Sequence, residues 1–249
     1  MSKVNFDKEI EIAIKAAKSA GKFLREDKKN LNLKIDSNPR DTKLMADLKS
    51  EKLILDILNS DSNYPVLAEE TGTSSENLGE IFWVVDPLDG TANYNRNIPI
   101  CCVSIGLVKN AQPLIGVIFD FNNDDIFIGD NINKLARLNE KKIMVSDIHN
   151  RSEGVLITGL PFNTDYSDNA LKKLISDMQT WKKVRMIGSA AMASCYVASG
   201  KAELYKEKGI YLWDIIAGAA IVESAGGKAE INNITEAFQV DVVFSNSKI

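Results

Sequence analysis

The feature that most constrains this chain is the stretch Trp83-Val84-Val85-Asp86-Pro87-Leu88-Asp89-Gly90-Thr91-Ala92-Asn93. The apolar run Ile81 to Val85 predicts a strand driven into a core. It ends on two carboxylates three residues apart, with Pro, Gly and Thr shaping the turn. Such a strand delivers Asp, a backbone carbonyl, a second Asp and a Gly-Thr backbone to one place. Carboxylate and carbonyl oxygens are hard ligands suited to Mg2+. Backbone N–H groups at a glycine turn or a helix start suit a phosphate.

Asp, Pro and Gly are also ordinary turn residues, so the same letters can be read as a turn. Two observations weigh against that. A carboxylate at the end of a buried strand is costly unless it is paired or holds a metal. A second acidic pair, Glu69-Glu70, ends another short apolar run, Pro65-Val66-Leu67-Ala68.

Composition narrows the chemistry. The chain has 249 residues, 45% hydrophobic and 26% charged, as expected of a soluble globular protein with a large core. Its net charge of −4 offers no basic footprint for nucleic acid. No apolar run reaches membrane-spanning length, and Met1 to Asp7 lacks a signal region, so a cytoplasmic location is expected. Cys101, Cys102 and Cys195 lack metal-ligand spacing and read as small buried hydrophobes of a reduced compartment. The single histidine, His149, sits in a polar segment and reads as a surface residue. Serine or cysteine nucleophiles paired with histidine, and histidine-rich zinc sites, are therefore poorly supported. Carboxylates, hydroxyls and a metal remain.

Periodicity predicts an amphipathic helix over 5–27, a polar loop or short hairpin over 28–43 broken at Asn38-Pro39-Arg40-Asp41, and a helix over 41–60 with Asp47 and Glu51 on one face. Thr71 to Glu80 reads as a loop. Ile100–Val108, Leu114–Phe121 and Asp125–Gly129 read as an antiparallel meander, with Lys141–Val145 a further strand. Strands and helices then alternate: strand 154–158, helix 167–181, strand 184–187, helix 188–199, strand 202–205, helix 213–225 and strand 240–244. This order predicts stacked layers of mixed α+β and α/β character, divided into halves at 1–145 and 146–249.

The stretch Asp86-Pro87-Leu88-Asp89-Gly90-Thr91-Ala92-Asn93 resembles the signature of the inositol monophosphatase family of Mg2+-dependent phosphatases. Trp213-Asp214-Ile215-Ile216-Ala217-Gly218-Ala219-Ala220, running to Ala225-Gly226-Gly227, resembles the family's second signature. Glu69-Glu70 and Gly188-Ser189-Ala190-Ala191 stand in the family's order, and the likeness covers roughly residues 5 to 247. The resemblance implies a layered α-β-α-β-α sandwich of the sugar phosphatase type. It implies two or three Mg2+ ions, with Mn2+ able to substitute, held by Glu69, Asp86, the Leu88 carbonyl, Asp89 and Asp214. Glu69, Thr91 and Asp47 become the catalytic set, with Thr91 and Asp47 positioning the attacking water. Asp89, Gly90, Thr91, Gly188, Ser189, Ala190, Glu207 and Asp214 become the substrate contacts, Glu207 accepting an alcohol hydroxyl. The resemblance also implies a homodimer.

Residue chemistry alone leaves some roles open. Glu70 reads equally as a metal-site carboxylate and as a ligand-supporting or solvated one, Asp214 also as a helix N-cap, Asp47 as a solvated helix position, and Arg185 as a phosphate or sugar contact or an ion-pair partner. One departure stands out. Many relatives carry a Lys near the segment Ile35-Asp36-Ser37-Asn38-Pro39, where this chain has Asp36 flanked by Lys34.

The expected activity is hydrolysis of a small polyol or sugar phosphate, inositol monophosphate first, by direct attack of water. Fructose 1,6-bisphosphate, histidinol phosphate and 3′-phosphoadenosine nucleotides are the alternative substrates, and a non-enzymatic regulatory module is the alternative class. An aspartyl phosphoenzyme would need two Asp with one residue between them, whereas Asp86 and Asp89 have two; no Cys is followed six positions later by Arg.

Overall fold

The computed structural model describes residues 6–38, 41–160 and 165–249. The breaker at Pro39-Arg40 lies outside them. Helix α1 (Asp7–Glu26) presents Ala13, Ala16, Ala17, Ala20 and Leu24 as one buried stripe, and a short α2 (Lys28–Leu31) follows. The expected hairpin forms from β1 (Lys34–Asn38) and β2 (Asp41–Leu44). The next helix, α3 (Met45–Asp61), starts later than the spacing of Leu44 and Leu48 suggested, because residues 41–44 pair as a strand. Asp47 in its first turn accepts the Leu44 amide at 2.7 Å and fixes the start.

A large sheet follows, from β3 (Val66–Ala68), β4 (Gly72–Thr73) and β5 (Ile81–Asp89), then, after α4 (Thr91–Asn95), β6 (Cys102–Lys109), β7 (Gln112–Asp120), β8 (Asp125–Asp130), β9 (Leu135–Leu138) and β10 (Lys141–Lys142). Its order is β10-β9-β8-β7-β6-β5-β3-β4. It is antiparallel except where β3 runs parallel to β5. The second sheet, ordered β12-β11-β13-β15-β14, comes from β11 (Val155–Thr158), β12 (Lys183–Arg185), β13 (Leu204–Tyr211), β14 (Lys228–Asn232) and β15 (Gln239–Ser245). Helices α5 (Asp168–Met178), α6 (Ala190–Ala198) and α7 (Leu212–Ser224) lie between these strands in sequence.

The period-2 alternation of the strands separates the layers. On the large sheet, Trp83, Val85, Val103, Ile105, Val117 and Phe119 pack under α1 and α3. Val84, Cys102, Ile118 and Phe127 face the other way, into a core shared with α6, α7 and the inner face of the second sheet. Leu156 and Leu204 cover that sheet's outer face with Met178 of α5 and Trp181. The result is the expected α-β-α-β-α sandwich. Strands β4, β9 and β14 were not anticipated, and β13 runs on to Tyr211 through the polar Lys206-Glu207-Lys208. Its pairing with β15 supplies what hydropathy alone does not signal.

Helix α7 lies in a trough of glycines. Gly106, Gly116 and Gly129 are direct cross-strand partners on β6, β7 and β8. A Cβ on Gly106 would stand 2.6 Å from Ile216 Cγ2, one on Gly116 would meet the Ala217 backbone, and one on Gly129 would stand 2.5 Å from Ile221 Cα. The bare backbone is what lets α7 approach and sets the position of its N-terminal end.

Gly116→Val should therefore lift α7 and cost about 3 kcal/mol or more, at the upper end of overpacking effects. Urea unfolding checks this; a midpoint equal to the wild type's would contradict the trough.

Candidate active site

The acidic residues gather where β3, β5, α3, α6 and α7 end or begin. Parallel pairing sets Ala68 opposite Val85, and the Glu69 amide donates to the Val85 carbonyl at 3.1 Å. Glu69 therefore leaves β3 beside Asp86 as it leaves the regular part of β5. Asp86 and Asp89 would lie on opposite faces of an ideal strand. Between them, however, three steps on β5 match two on β6: Asp86 pairs with Ser104 and Asp89 with Cys102. The extra residue is a bulge, which reverses the alternation and brings both carboxylates to one side. Pro87, without an N–H, suits that break in the ladder. The Leu88 amide turns instead to Asp86 Oδ1 at 2.9 Å.

Asp89 is anchored by the start of α6. The amides of Ala190 and Ala191 donate to its two oxygens at 3.2 and 2.8 Å, and the Ser189 hydroxyl donates as well. The resemblance assigned Gly188, Ser189 and Ala190 to the substrate; in the structure the amides of Ala190 and Ala191 face the chain's own carboxylate. Gly188, Ser189 and Ala190 do line the adjacent cavity. Asp214 stands in the first turn of α7 and accepts the Tyr211 amide at 3.0 Å. It thus stabilises the helix start from the third helical position rather than as the N-cap itself.

Charge crowding follows from this placement. Burial pushes Glu69 well above the usual carboxylate range, and the charges of Asp214, Asp47 and Glu70 push it further. Asp86 is raised well above its ordinary value by burial and then by Glu69, Asp89 and Asp214. Burial also raises Asp89, opposed by its bonds from Ser189, Ala191 and Ala190. Among the described residues no three His, Cys, Asp or Glu side chains are already arranged to hold a metal ion. What the site has is a buried, mutually repelling set of hard oxygen donors, and that fits divalent cations by chemistry.

Asp47 is buried with both oxygens engaged: Oδ2 by the Leu44 amide and Oδ1 by the Thr91 hydroxyl at 2.9 Å. Thr91 Oγ also lies 3.0 Å from the Leu88 carbonyl. Burial raises Asp47 to about 6. Gly90 precedes α4 with φ +87°, and a Cβ there would stand 2.8 Å from the Ile100 carbonyl. That left-handed turn aims the first amides of α4, which have no acceptor within the helix, beside the acids.

A cavity of about 450 Å3 opens from Asp89 and Asp214 past Ser189 to Glu207, with Leu160 and Met186 among its apolar walls. Glu207 accepts the Tyr205 hydroxyl at 3.0 Å, and burial pushes it up to about 7. Gly159 is bare where Glu207 passes; a side chain there would collide with the carboxylate.

Two residues escaped sequence reasoning as parts of the site. Asn93 Nδ2 donates to the carbonyls of Ile100 and Ile187, each at 2.8 Å, tying α4 to the segment before α6. Lys43, on β2, forms an ion pair with the Glu70 carboxylate. Asn93 was inside the stretch already singled out, but nothing local marks its reach of 94 residues. Glu51 holds the Glu70 amide at 2.8 Å, so the shared face of Asp47 and Glu51 points inward. Arg185 is exposed and bonds the Val184 carbonyl, and His149 is exposed. All three cysteines are free and buried.

The chain belongs to the inositol monophosphatase family, whose model matches residues 5–233. It is 37% identical over 222 residues to the Nus factor SuhB of Xylella fastidiosa, covering 88% of this chain and 80% of that protein. It is 31% identical over 228 residues to inositol monophosphatase 1 of Rattus norvegicus, covering 88% and 81% respectively. Among solved structures, an inositol monophosphatase from Anabaena (Nostoc) sp. PCC 7120 superposes with a TM-score of 0.86 at 33% identity, covering 99% of this chain and 93% of that one. Among the described residues no helix is long and apolar enough to cross a membrane.

The Glu207 environment has a consequence for stability in the metal-free protein. Its folded-state value, about 7, exceeds the ordinary 4.5, so the folded state retains a proton that the unfolded state has released. Stability from this group is full below pH about 4.5 and declines as pH rises through about 7. Glu207→Gln should therefore gain on the wild type as pH moves from 5 to 8, by up to about 3 kcal/mol. Urea unfolding at both pH values measures it; an equal difference at both would contradict the assigned burial.

Proposed function

We propose that this chain is a Mg2+-dependent phosphomonoesterase acting on a small polyol or sugar phosphate, inositol monophosphate first. The observation that carries the reading is the cluster of buried Asp86 and Asp89 with half-buried Glu69 and Asp214, in which burial and neighbouring charge disfavour the anions of Glu69 and Asp86, and from which Asp89 and Asp214 open onto a cavity that ends at Glu207. With the Leu88 carbonyl, these residues would hold two or three Mg2+ ions, or Mn2+ in their place. When bound, such ions supply positive charge against the phosphate and acidify water.

The chain's own groups account for the remaining needs. Thr91 donates its hydroxyl proton to Asp47, which leaves its oxygen lone pairs to accept from a water. Glu69 orients that water from the opposite side. Water attacks phosphorus and gives up a proton to solvent, the ester P–O bond breaks, and its electron pair leaves with the alcohol oxygen, which takes up a proton from solvent. The amides of Gly90 and Thr91 bind phosphate oxygens. Glu207 accepts a hydroxyl of the alcohol portion, while Ser189 and Asp214 flank it. Fructose 1,6-bisphosphate, histidinol phosphate and 3′-phosphoadenosine nucleotides are the competing substrates for the same chemistry. A cytoplasmic homodimer completes the reading, supported by the three free, buried cysteines and by family membership.

A regulatory role is the second reading. The relative at 37% identity carries the name Nus factor SuhB, and such a role can coexist with hydrolysis.

Asp89→Asn should leave the fold intact and lower Mg2+-dependent phosphate release from inositol monophosphate at least about a hundredfold, as expected for lost transition-state electrostatics. Activity within a few fold of wild type would overturn the assignment of Asp89. Glu207→Ala should reduce kcat/KM on inositol monophosphate far more than on an aryl phosphate that lacks the hydroxyls, because a site built to bond a hydroxyl loses discrimination without its acceptor. Equal losses on both would give Glu207 another role.

A further inference from the structure

The ion pair between Lys43 and Glu70 is not used by the chemistry above. Lys43 extends from β2, the second strand of the hairpin, to the Glu70 carboxylate. Its side chain is 39% exposed, whereas that of Glu70 is 6% exposed, so the cation reaches inward from the solvent side to a buried anion. Glu70 is held from below as well, because its amide donates to the buried Glu51 at 2.8 Å. The ammonium is also within electrostatic range of Glu69 and Asp47, which together with Glu70 hold its pKa above the ordinary lysine value. A single positive charge thus faces three acids of the site, on the side where Glu69 leaves β3.

We propose that Lys43 is a tethered cation of the active site, neutralising Glu70 so that no divalent ion settles there and lowering the affinity of the neighbouring site for divalent ions. The inference rests on the reading that Glu69, Asp86, Asp89 and Asp214 hold those ions. It makes Lys43 a positioning residue, acting through Glu70 and through the local field rather than on the substrate.

The physical basis is charge arithmetic. Without Lys43 the same cluster carries one more uncompensated negative charge. A unit charge several ångströms from a divalent ion, in a partly water-filled site, changes its affinity on the order of tenfold. A fixed ammonium also differs from a bound ion in being independent of metal concentration. Glu70 stays screened while the protein is metal-free.

The test is Mn2+ binding to the intact protein, measured without substrate by calorimetry and by the electron paramagnetic resonance of free Mn2+. Lys43→Gln should bind Mn2+ on the order of tenfold more tightly than the wild type, with one additional weak ion per chain. Lys43→Arg should restore wild-type binding, because it keeps the charge. Lys43→Gln with unchanged or weaker Mn2+ affinity would overturn the proposal. Should Lys43→Gln fail to fold, Lys43→Gln combined with Glu70→Gln removes the pair with no change in net charge. That double variant should bind Mn2+ within a few fold of wild type; tenfold weaker binding would make Glu70 a ligand that Lys43 merely supports, and would equally overturn the proposal. A wild-type protein that binds no Mn2+ overturns the metal reading itself, and this inference with it, whereas wild-type binding unaltered in Lys43→Gln overturns this inference alone.

Discussion

The structure depends on keeping several carboxylates close together in a place with little water. Anions in such a setting raise one another's pKa values, and Glu69 and Asp86 show this most strongly. The contrast between Asp86 and Asp89 shows how the fold manages the cost. Asp89 receives two amides and a hydroxyl from the start of α6, whereas Asp86 receives the Leu88 amide. The helix start compensates Asp89, whereas Asp86, which also shares a hydrogen bond with Glu69, keeps the stronger upward shift.

Each structural layer contributes one constraint on that arrangement. The parallel β3–β5 register sets Glu69 beside Asp86, and the bulge after Asp86 turns Asp89 to the same side. Helices α3 and α7 each carry an acid in the first turn, Asp47 and Asp214, that reaches back to the amide preceding the helix. Such an acid is favoured there by the helix dipole, so helix stability and the acidic cluster draw on the same residues. The glycine row across β6, β7 and β8 then fixes how deeply α7 seats. A change in the middle of the large sheet would accordingly be felt at Asp214.

Much of this was legible in the sequence, for identifiable reasons. Long periodic segments such as α1, the β6–β8 meander and α7 carry their burial pattern openly, and the acids followed apolar runs in a recognisable order. The bulge was not legible, because alternation alone would have put Asp86 and Asp89 on opposite faces. The short edge strands β4, β9 and β14 lack a pattern of their own and exist through pairing. Residues 41–44 continue the apolar spacing of α3 but are claimed by the hairpin, and it is from there that Lys43 reaches Glu70. Asn93 and Gly159 show a similar limit: their importance lies in contacts with residues distant in sequence, Ile187 and Glu207.

The central claim is that burial, reinforced by the neighbouring acids, holds Glu69 and Asp86 toward their protonated forms in the metal-free site, and that a divalent cation shifts them toward the anion. Proton release on Mg2+ binding tests this most directly, by calorimetry at pH 7 in buffers of different ionisation enthalpy. The account predicts a net release of protons from the protein, reduced in Asp86→Asn. Mg2+ binding that releases no protons would contradict it.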